Sequence, residues 1–278
     1  MIIIADSGAT KTAWRSVDCS GTVRAVQTAG MNPSCMDPDS LMAVVRQAVP
    51  LLNPEGVQVS SVFFYGAGLI SEYASSYIRE AMEMWCPFAE ISFFSDMMAA
   101  ARALFGSESG VVAIMGTGSN SCMYSDGEIT RNIRPGGFIL GDEGSGAALG
   151  KAFIADFVKG LLPEHISEEF VSTYGLDYPA LVQKVYREPG ASAFLASFAP
   201  FILERMSDPY VKSLVDECLE SFIKRSLVRY DCRKIGVVGS FGCACEGCLR
   251  TLGAEYGLEF VRFMKNPVDA LVEYHVKL

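Results

Sequence analysis

No uninterrupted apolar run in the sequence reaches the length that crosses a bilayer, which argues against a helical membrane protein. The first residues, Met1-Ile2-Ile3-Ile4, lack both the basic stretch and the small-residue cleavage site of a secretory signal, so none is expected. Basic residues are scarce as well: 23 Lys and Arg stand against 32 Asp and Glu, a net charge of −9. Nucleic acids and anionic membranes attract clustered positive charge, so neither is an expected partner. Histidine occurs twice, as His165 and His275, and neither has neighbours in sequence that suggest a triad or a metal site. The chain also has no G-x-x-x-x-G-K-[ST] loop and no G-x-G-x-x-G opening a helix. That removes the Walker and dinucleotide-fold routes to binding a phosphate. There is no short-period repeat, low-complexity linker or long charge run.

What is present describes a globular chain with a well-filled core. Half of the 278 residues are hydrophobic and a fifth are charged. That length suits one large domain or two ordinary ones. Nine cysteines, an odd number scattered from Cys19 to Cys248, read as reduced thiols and a cytoplasmic location. Cys243, Cys245 and Cys248 form a C-x-C-x-x-C cluster at the start of a helix. Such a cluster lacks a fourth ligand and cannot aim three thiols one way, so packing is the expected role.

An apolar run at 2–5 predicts a strand, and 12–17 and 22–27 are two more strand candidates, joined by a polar turn at 18–21. Asp37-Pro38-Asp39-Ser40 opens a helix whose apolar residues recur at helical spacing. A strand at 62–65, a helix at 73–85, a strand at 91–94 and a helix at 97–105 follow. After Gly110 a similar order restarts: a strand at 111–115, a small-residue turn, then a hairpin of 121–124 and 128–133 around Asp126-Gly127. A largely helical stretch runs to about 229, and 234–238 is the last expected strand. The class is α/β. Two similar halves predict a duplicated architecture with domains at 1–106 and 107–278 and a cleft between them.

An anion site needs backbone N–H groups free to point at it, which glycine and small residues in tight turns allow. Two such turns directly follow apolar strands: Asp6-Ser7-Gly8-Ala9-Thr10-Lys11-Thr12, and Gly116 to Asn120. Either alone is an ordinary hairpin turn; together, one of them led by Asp6, they predict a phosphate clamp. Asp6 would hold Mg²⁺, largely through water. Thr10 and Thr12 offer hydroxyls and Lys11 a charge. Asp96 stands where a strand gives way to a helix, as either an exposed functional carboxylate or a helix cap, a role Ser95 also suits. Five glycines among residues 136–146 suit close backbone approach to a ligand, and Asp142 and Glu143 there also favour a helix N-terminus.

The set DSGATKT (6–12), Asn32-Pro33, Ser95-Asp96, GTGSN (116–120), GDEGS (141–145) and VGS (238–240) resembles the N-acetylglucosamine kinases. These belong to the BadF/BadG/BcrA/BcrD-type ATPases of the sugar kinase, Hsp70 and actin superfamily, and the resemblance runs in order over nearly the whole chain. It implies two ribonuclease H-like (actin-like ATPase) domains closing over ATP and a hexose, with the γ-phosphoryl group passing to the sugar 6-hydroxyl. On that resemblance Asp6 organises Mg²⁺ and Asp96 is the general base. Gly8, Thr10, Lys11, Thr12, Gly116, Thr117, Gly118, Gly239 and Ser240 serve ATP and its phosphates. Asn32, Ser119, Asn120, Gly137 and Asp142 serve the sugar. The expected partner is a small-molecule sugar, and a homodimer stays open.

The chain departs from the family pattern at several positions. Ser7 and Ala9 stand where glycine is frequent, and Ala13 where many relatives carry an acid. Gly136-Gly137-Phe138 replaces a Gly-Trp-Gly, so glucosamine, N-acetylmuramic acid or another amino sugar stays open beside N-acetylglucosamine. Some relatives are activator ATPases that move a partner protein, the alternative to a sugar kinase.

Overall fold

The computed structural model describes residues 1–8, 11–31, 36–67 and 72–277, with no side-chain detail at 72–74. The chain begins with strands β1 (Ile2–Ser7), β2 (Lys11–Val17) and β3 (Val23–Ala29), then helix α1 (Pro38–Leu52) and strand β4 (Ser61–Gly66). Helix α2 (Glu72–Trp85), strand β5 (Glu90–Ser95) and helix α3 (Asp96–Phe105) complete the first series. The second series opens with strands β6 (Gly110–Met115), β7 (Ser119–Ser125) and β8 (Glu128–Ile133). Seven helices follow: α4 (Gly137–Leu140), α5 (Gly146–Val158), α6 (Glu164–Tyr174), α7 (Tyr178–Tyr186), α8 (Ala191–Ala196), α9 (Ala199–Leu203) and α10 (Pro209–Arg225). Strand β9 (Lys234–Val238), helices α11 (Ser240–Ala244) and α12 (Glu246–Glu255), strand β10 (Glu259–Met264) and helix α13 (Val268–Val276) end the chain.

The two sheets repeat one topology. The first has order β3-β2-β1-β4-β5 and the second, taken from the corresponding edge, β8-β7-β6-β9-β10. In each, the first three strands form an antiparallel meander, and the next two run parallel to the first. Parallel neighbours share a carboxyl edge, where loops can carry ligand-binding groups. The mixed α/β class read from the sequence is therefore present, twice over.

Each sheet has its own core. In the first, Ile3, Ala5, Trp14, Val62 and Phe64 meet the buried stripe Leu41, Val45, Ala48 and Leu52 of α1. That helix is started by Asp37, whose carboxylate accepts from the Ser40 N–H at 2.9 Å, with Pro38 in the first turn. In the second, Val111, Ala113, Ile235 and Val237 meet Leu149, Phe153, Phe170 and Leu219. Each fully buried aliphatic or aromatic side chain there contributes about 1.5–3 kcal/mol.

The chain divides into two compact units, Met1–Ser107 with Asn266–Leu278, and Glu108–Lys265. Residues 266–278 thus leave the second half, where the sequence reading had put them. Helix α13 packs on α3, β1 and β2 instead. Three side chains hold it there. Arg15 Nε pairs with Asp269 at 2.7 Å, His275 Nε2 bonds the Tyr65 hydroxyl at 2.7 Å, and the His275 ring stacks on Phe63 at 3.7 Å. A second correction concerns β10: the strand at 234–238 is not the last, because β10 pairs parallel with it at the sheet edge. Among the described residues no helix is long and apolar enough to cross a membrane.

Candidate active site

In the first unit the candidate groups sit at the carboxyl edge of three parallel strands. Asp6 on β1 is level with Tyr65 on β4, and Tyr65 with Phe94 on β5. Asp96 follows β5 by one residue, so the two carboxylates stand two strands apart along one edge. Burial is the main force pushing the Asp6 carboxyl up to about 7; the Asp96 charge adds to this and Lys11 opposes it. Burial likewise raises Asp96 above the usual carboxylate range.

The structure separates the two roles the sequence left open at residues 95 and 96. Ser95 is the cap of α3, its hydroxyl accepting from the Met98 N–H at 3.1 Å. Among the described residues, Asp96 accepts from the adjacent Met97 N–H at 2.9 Å, through Oδ1.

The turn after β1 is closed by the Gly8 N–H donating to the Lys11 carbonyl at 3.0 Å. Lys11 is exposed, whereas Thr12 is buried, as strand alternation requires. Thr12 does not offer its hydroxyl to the turn. It donates to the Ala29 carbonyl at 3.0 Å and lies 2.8 Å from the Ser7 hydroxyl. Ser7 in turn donates to the Met31 carbonyl at 3.0 Å and accepts from the Met31 N–H at 2.9 Å. A departure from glycine at position 7 therefore has a use: it clasps both backbone groups of Met31. Thr10 and Asn32 lie outside the described residues.

In the second unit, two glycine turns follow adjacent parallel strands, β6 and β9, whose ends Ile114 and Val238 are in register. The first turn is held by Gly116 N–H to Gly118 carbonyl at 2.9 Å. The Gly146 and Ala147 N–H groups of α5 bond the Gly116 and Thr117 carbonyls at 2.9 and 3.1 Å. Thr117 is exposed at its tip, and the N–H groups of Thr117 and Gly118 bond no other main-chain group among the described residues. In the second turn Gly239 has φ +126°, and a Cβ there would lie 2.2 Å from the Met115 carbonyl. Only glycine lets the two turns meet. Ser240 is exposed at the start of α11. A cavity of about 420 Å³ opens on both turns, walled by Gly116, Thr117, Leu203, Ser240, Phe241 and Ala244. The sequence reading missed the apolar wall from α9, since nothing local links Leu203 to a turn far along the chain.

Asp142 adopts φ +58°, a left-handed backbone rare outside glycine. Its N–H donates to the Pro135 carbonyl at 3.0 Å, and its carboxylate receives the Ser119 N–H. A Cβ at Gly118 would come 2.8 Å from Asp142 Oδ2, so the small residue is what admits the carboxylate beside the turn. Burial raises the Asp142 carboxyl above its ordinary range; neighbouring Glu143 adds to this and Lys151 opposes it. Ser119 is buried, with its hydroxyl donated to the Glu143 carbonyl at 2.6 Å, so it braces this loop from inside. Glu143 is tied by Arg225 at 2.7 Å. Asn120 sits half-buried on β7, and Gly137 begins the short helix α4.

Cys245 is buried and Cys243 and Cys248 are half-buried; burial pushes the Cys245 thiol up to about 12, away from a ligating thiolate. Among the described residues no three His, Cys, Asp or Glu side chains are grouped to hold a metal ion. A hollow of about 480 Å³ beside Val49, Trp85 and Phe88 has no acidic, basic or histidine lining.

No family model matches the chain, and no curated protein matches it. Solved structures do. A candidate N-acetylglucosamine kinase from Porphyromonas gingivalis is 36% identical, with a TM-score of 0.94 over 100% of this chain and 99% of that one. A candidate N-acetylglucosamine kinase from Chromobacterium violaceum is 21% identical, with a TM-score of 0.75 over 98% of each chain. A ROK family glucokinase from Streptomyces griseus, solved with glucose and AMPPNP, is 15% identical, with a TM-score of 0.61 over 98% of this chain and 97% of that one. The twice-repeated sheet with turns at its carboxyl edges is that of the actin-like ATPase fold, an α/β class with two ribonuclease H-like domains. Within that class, the chain belongs to the N-acetylglucosamine kinase-like family of the sugar kinase, Hsp70 and actin superfamily.

Proposed function

We propose that this chain is an ATP-dependent kinase that transfers the γ-phosphoryl group to the 6-hydroxyl of an amino sugar, N-acetylglucosamine first among the candidates. The observation that carries the reading is Asp96: a half-buried carboxylate just past the carboxyl end of β5, with one oxygen fixed by the Met97 N–H, held above its ordinary pKa by burial. A base is most effective when its pKa approaches the working pH, and such a group contributes about 10²–10⁴ in rate. Asp96 takes the proton of the attacking hydroxyl in this reading. Phosphoryl transfer otherwise asks for positioning and charge neutralisation.

Gly8 shapes the first turn and Lys11 brings it an exposed charge, while the small-residue turns at Gly116–Gly118 and Gly239–Ser240 include the Thr117 and Gly118 N–H groups, which bond no main-chain group among the described residues and suit phosphate oxygens. The 420 Å³ cavity, mostly apolar and opening on two of these turns, suits the nucleoside. Asn32, Asn120, Gly137 and Asp142 would hold the sugar, with Ser119 bracing Asp142.

Asp6 fits a Mg²⁺ role. Its carboxyl is pushed up to about 7 by burial and by the Asp96 charge, against which Lys11 acts only in part, so a divalent cation there would favour the ionised form. Mg²⁺ asks for only one or two carboxylates, with water and phosphate completing its shell, so no protein cage is needed. The ion would supply charge neutralisation at the phosphates.

The identity to a candidate sugar kinase favours this reading over an ATPase that moves a partner protein. ADP release measured against a panel of amino sugars tests it. Sugar-dependent release is expected; hydrolysis that ignores the sugar would favour the alternative.

A further inference from the structure

Strand β8 carries a residue that fixes what the candidate sugar site offers a ligand. Asn132 lies opposite Cys122 on β7, next to Asn120. Both hydrogens of its side-chain amide are spent: Nδ2 donates to the Ser121 carbonyl at 2.7 Å and to Asn120 Oδ1 at 3.0 Å. A carbonyl only accepts, so the Ser121 carbonyl decides which way the Asn132 amide faces. Asn120 Oδ1 also accepts from the Ser121 N–H at 2.8 Å, a group that only donates. Turning the Asn120 amide over would set NH₂ against two donors and lose two bonds. Its oxygen is thereby locked inward. Asn120 as a residue is half-buried, and its NH₂ donates to no described residue.

We propose that Asn132 is a positioning residue that makes Asn120 a donor-only contact, so that the position takes an oxygen lone pair of the acceptor, hydroxyl or acyl carbonyl, and refuses an ammonium. The assignment rests on the kinase reading above for the identity of the ligand, but not for the orientation itself. Asn132 is exposed, so changing it removes no core packing.

The test compares the wild type with Asn132→Ala and Asn132→Asp, reading KM for the sugar, KM for ATP and the thermal midpoint. Asn132→Ala removes one of the two bonds that hold the Asn120 oxygen inward, leaving the Ser121 N–H, and should raise the sugar KM several-fold. Asn132→Asp sets a carboxylate against Asn120 Oδ1, turns the amide over and should raise the sugar KM about tenfold or more, the scale of one good hydrogen bond. The ATP KM and the midpoint should stay within twofold and about a degree. An unchanged sugar KM in both variants, or a rise in both KM values together, overturns the proposal. The crystal structure of Asn132→Asp reads the orientation without turnover: Asn120 NH₂ facing residue 132 supports the proposal, and an unturned amide overturns it. If the wild type releases no ADP in response to any sugar, the kinase reading fails and the crystallographic comparison still decides this one.

Discussion

Replacing Asp6 by asparagine should stabilise the metal-free protein at neutral pH. Burial and the Asp96 charge lift the Asp6 carboxyl from 3.8 to about 7. The folded state therefore holds that proton more tightly than the unfolded chain does. Its contribution to stability is complete below the ordinary pKa near 4 and is lost as the pH rises toward 7; above that, the chain carries a poorly solvated charge. About three units at about 1.4 kcal/mol each set a ceiling of about 4 kcal/mol. Asp6 keeps some solvent contact, which about halves that to 2 kcal/mol. For a unit of this size such a change moves the midpoint by about 6 °C. Asparagine has no such charge at any pH. The variant should match the wild type near pH 4 and exceed it by about 6 °C at pH 8.

The assay is thermal unfolding of both proteins in chelator from pH 4 to 8, read as a difference. The difference matters because His275, in the same unit, slopes the other way. Its burial, and to a lesser degree the Arg102 charge, hold it down to about 4, so stability is lost as the pH falls from about 6.5 toward 4. That contribution is common to both proteins and cancels. Adding Mg²⁺ with nucleotide should raise the wild-type midpoint more than the variant's. A variant less stable than the wild type at pH 8, or a difference flat with pH, would refute the reasoning.

Asp96→Asn should leave nucleotide affinity within twofold, by calorimetry, while turnover falls about 10²–10⁴-fold; near-full turnover would sink its role as base. Gly118→Ala drives a methyl to within 2.8 Å of Asp142 Oδ2. It should raise the sugar KM about tenfold while the thermal midpoint drops by only a few degrees. Ser7→Ala leaves the N–H and carbonyl of buried Met31 without their shared partner. A loss of about 3 kcal/mol in urea unfolding is expected; a loss under 1 kcal/mol would show that Ser7 is not the clasp.

Local chemistry alone carried much of this protein. The apolar runs of β1, β4, β6 and β9 and the small-residue turns at 6–12, 116–120 and 239–240 are adjacent in sequence, so a strand ending in a tight turn is legible without a fold. The repeated order of elements likewise announced two similar halves, and the helix entry at Asp37-Pro38 was plain. Tertiary structure decided the matters that depend on distant partners. Strand β10 alternates weakly at a sheet edge, with Glu259 and Arg262 exposed, and becomes a strand only by pairing with β9. Helix α13 is apolar enough to pack on either unit, and Arg15, Phe63 and Tyr65 select the first. Alternation turned Thr12 inward, and Ser95 took the cap that could have occupied Asp96. The wall from Leu203 and the bridge from Asn132 to Asn120 join residues that only folding brings together. Which residues could do chemistry was written in their types and spacing; which way each one faces was settled by hydrogen bonds and packing from elsewhere in the chain.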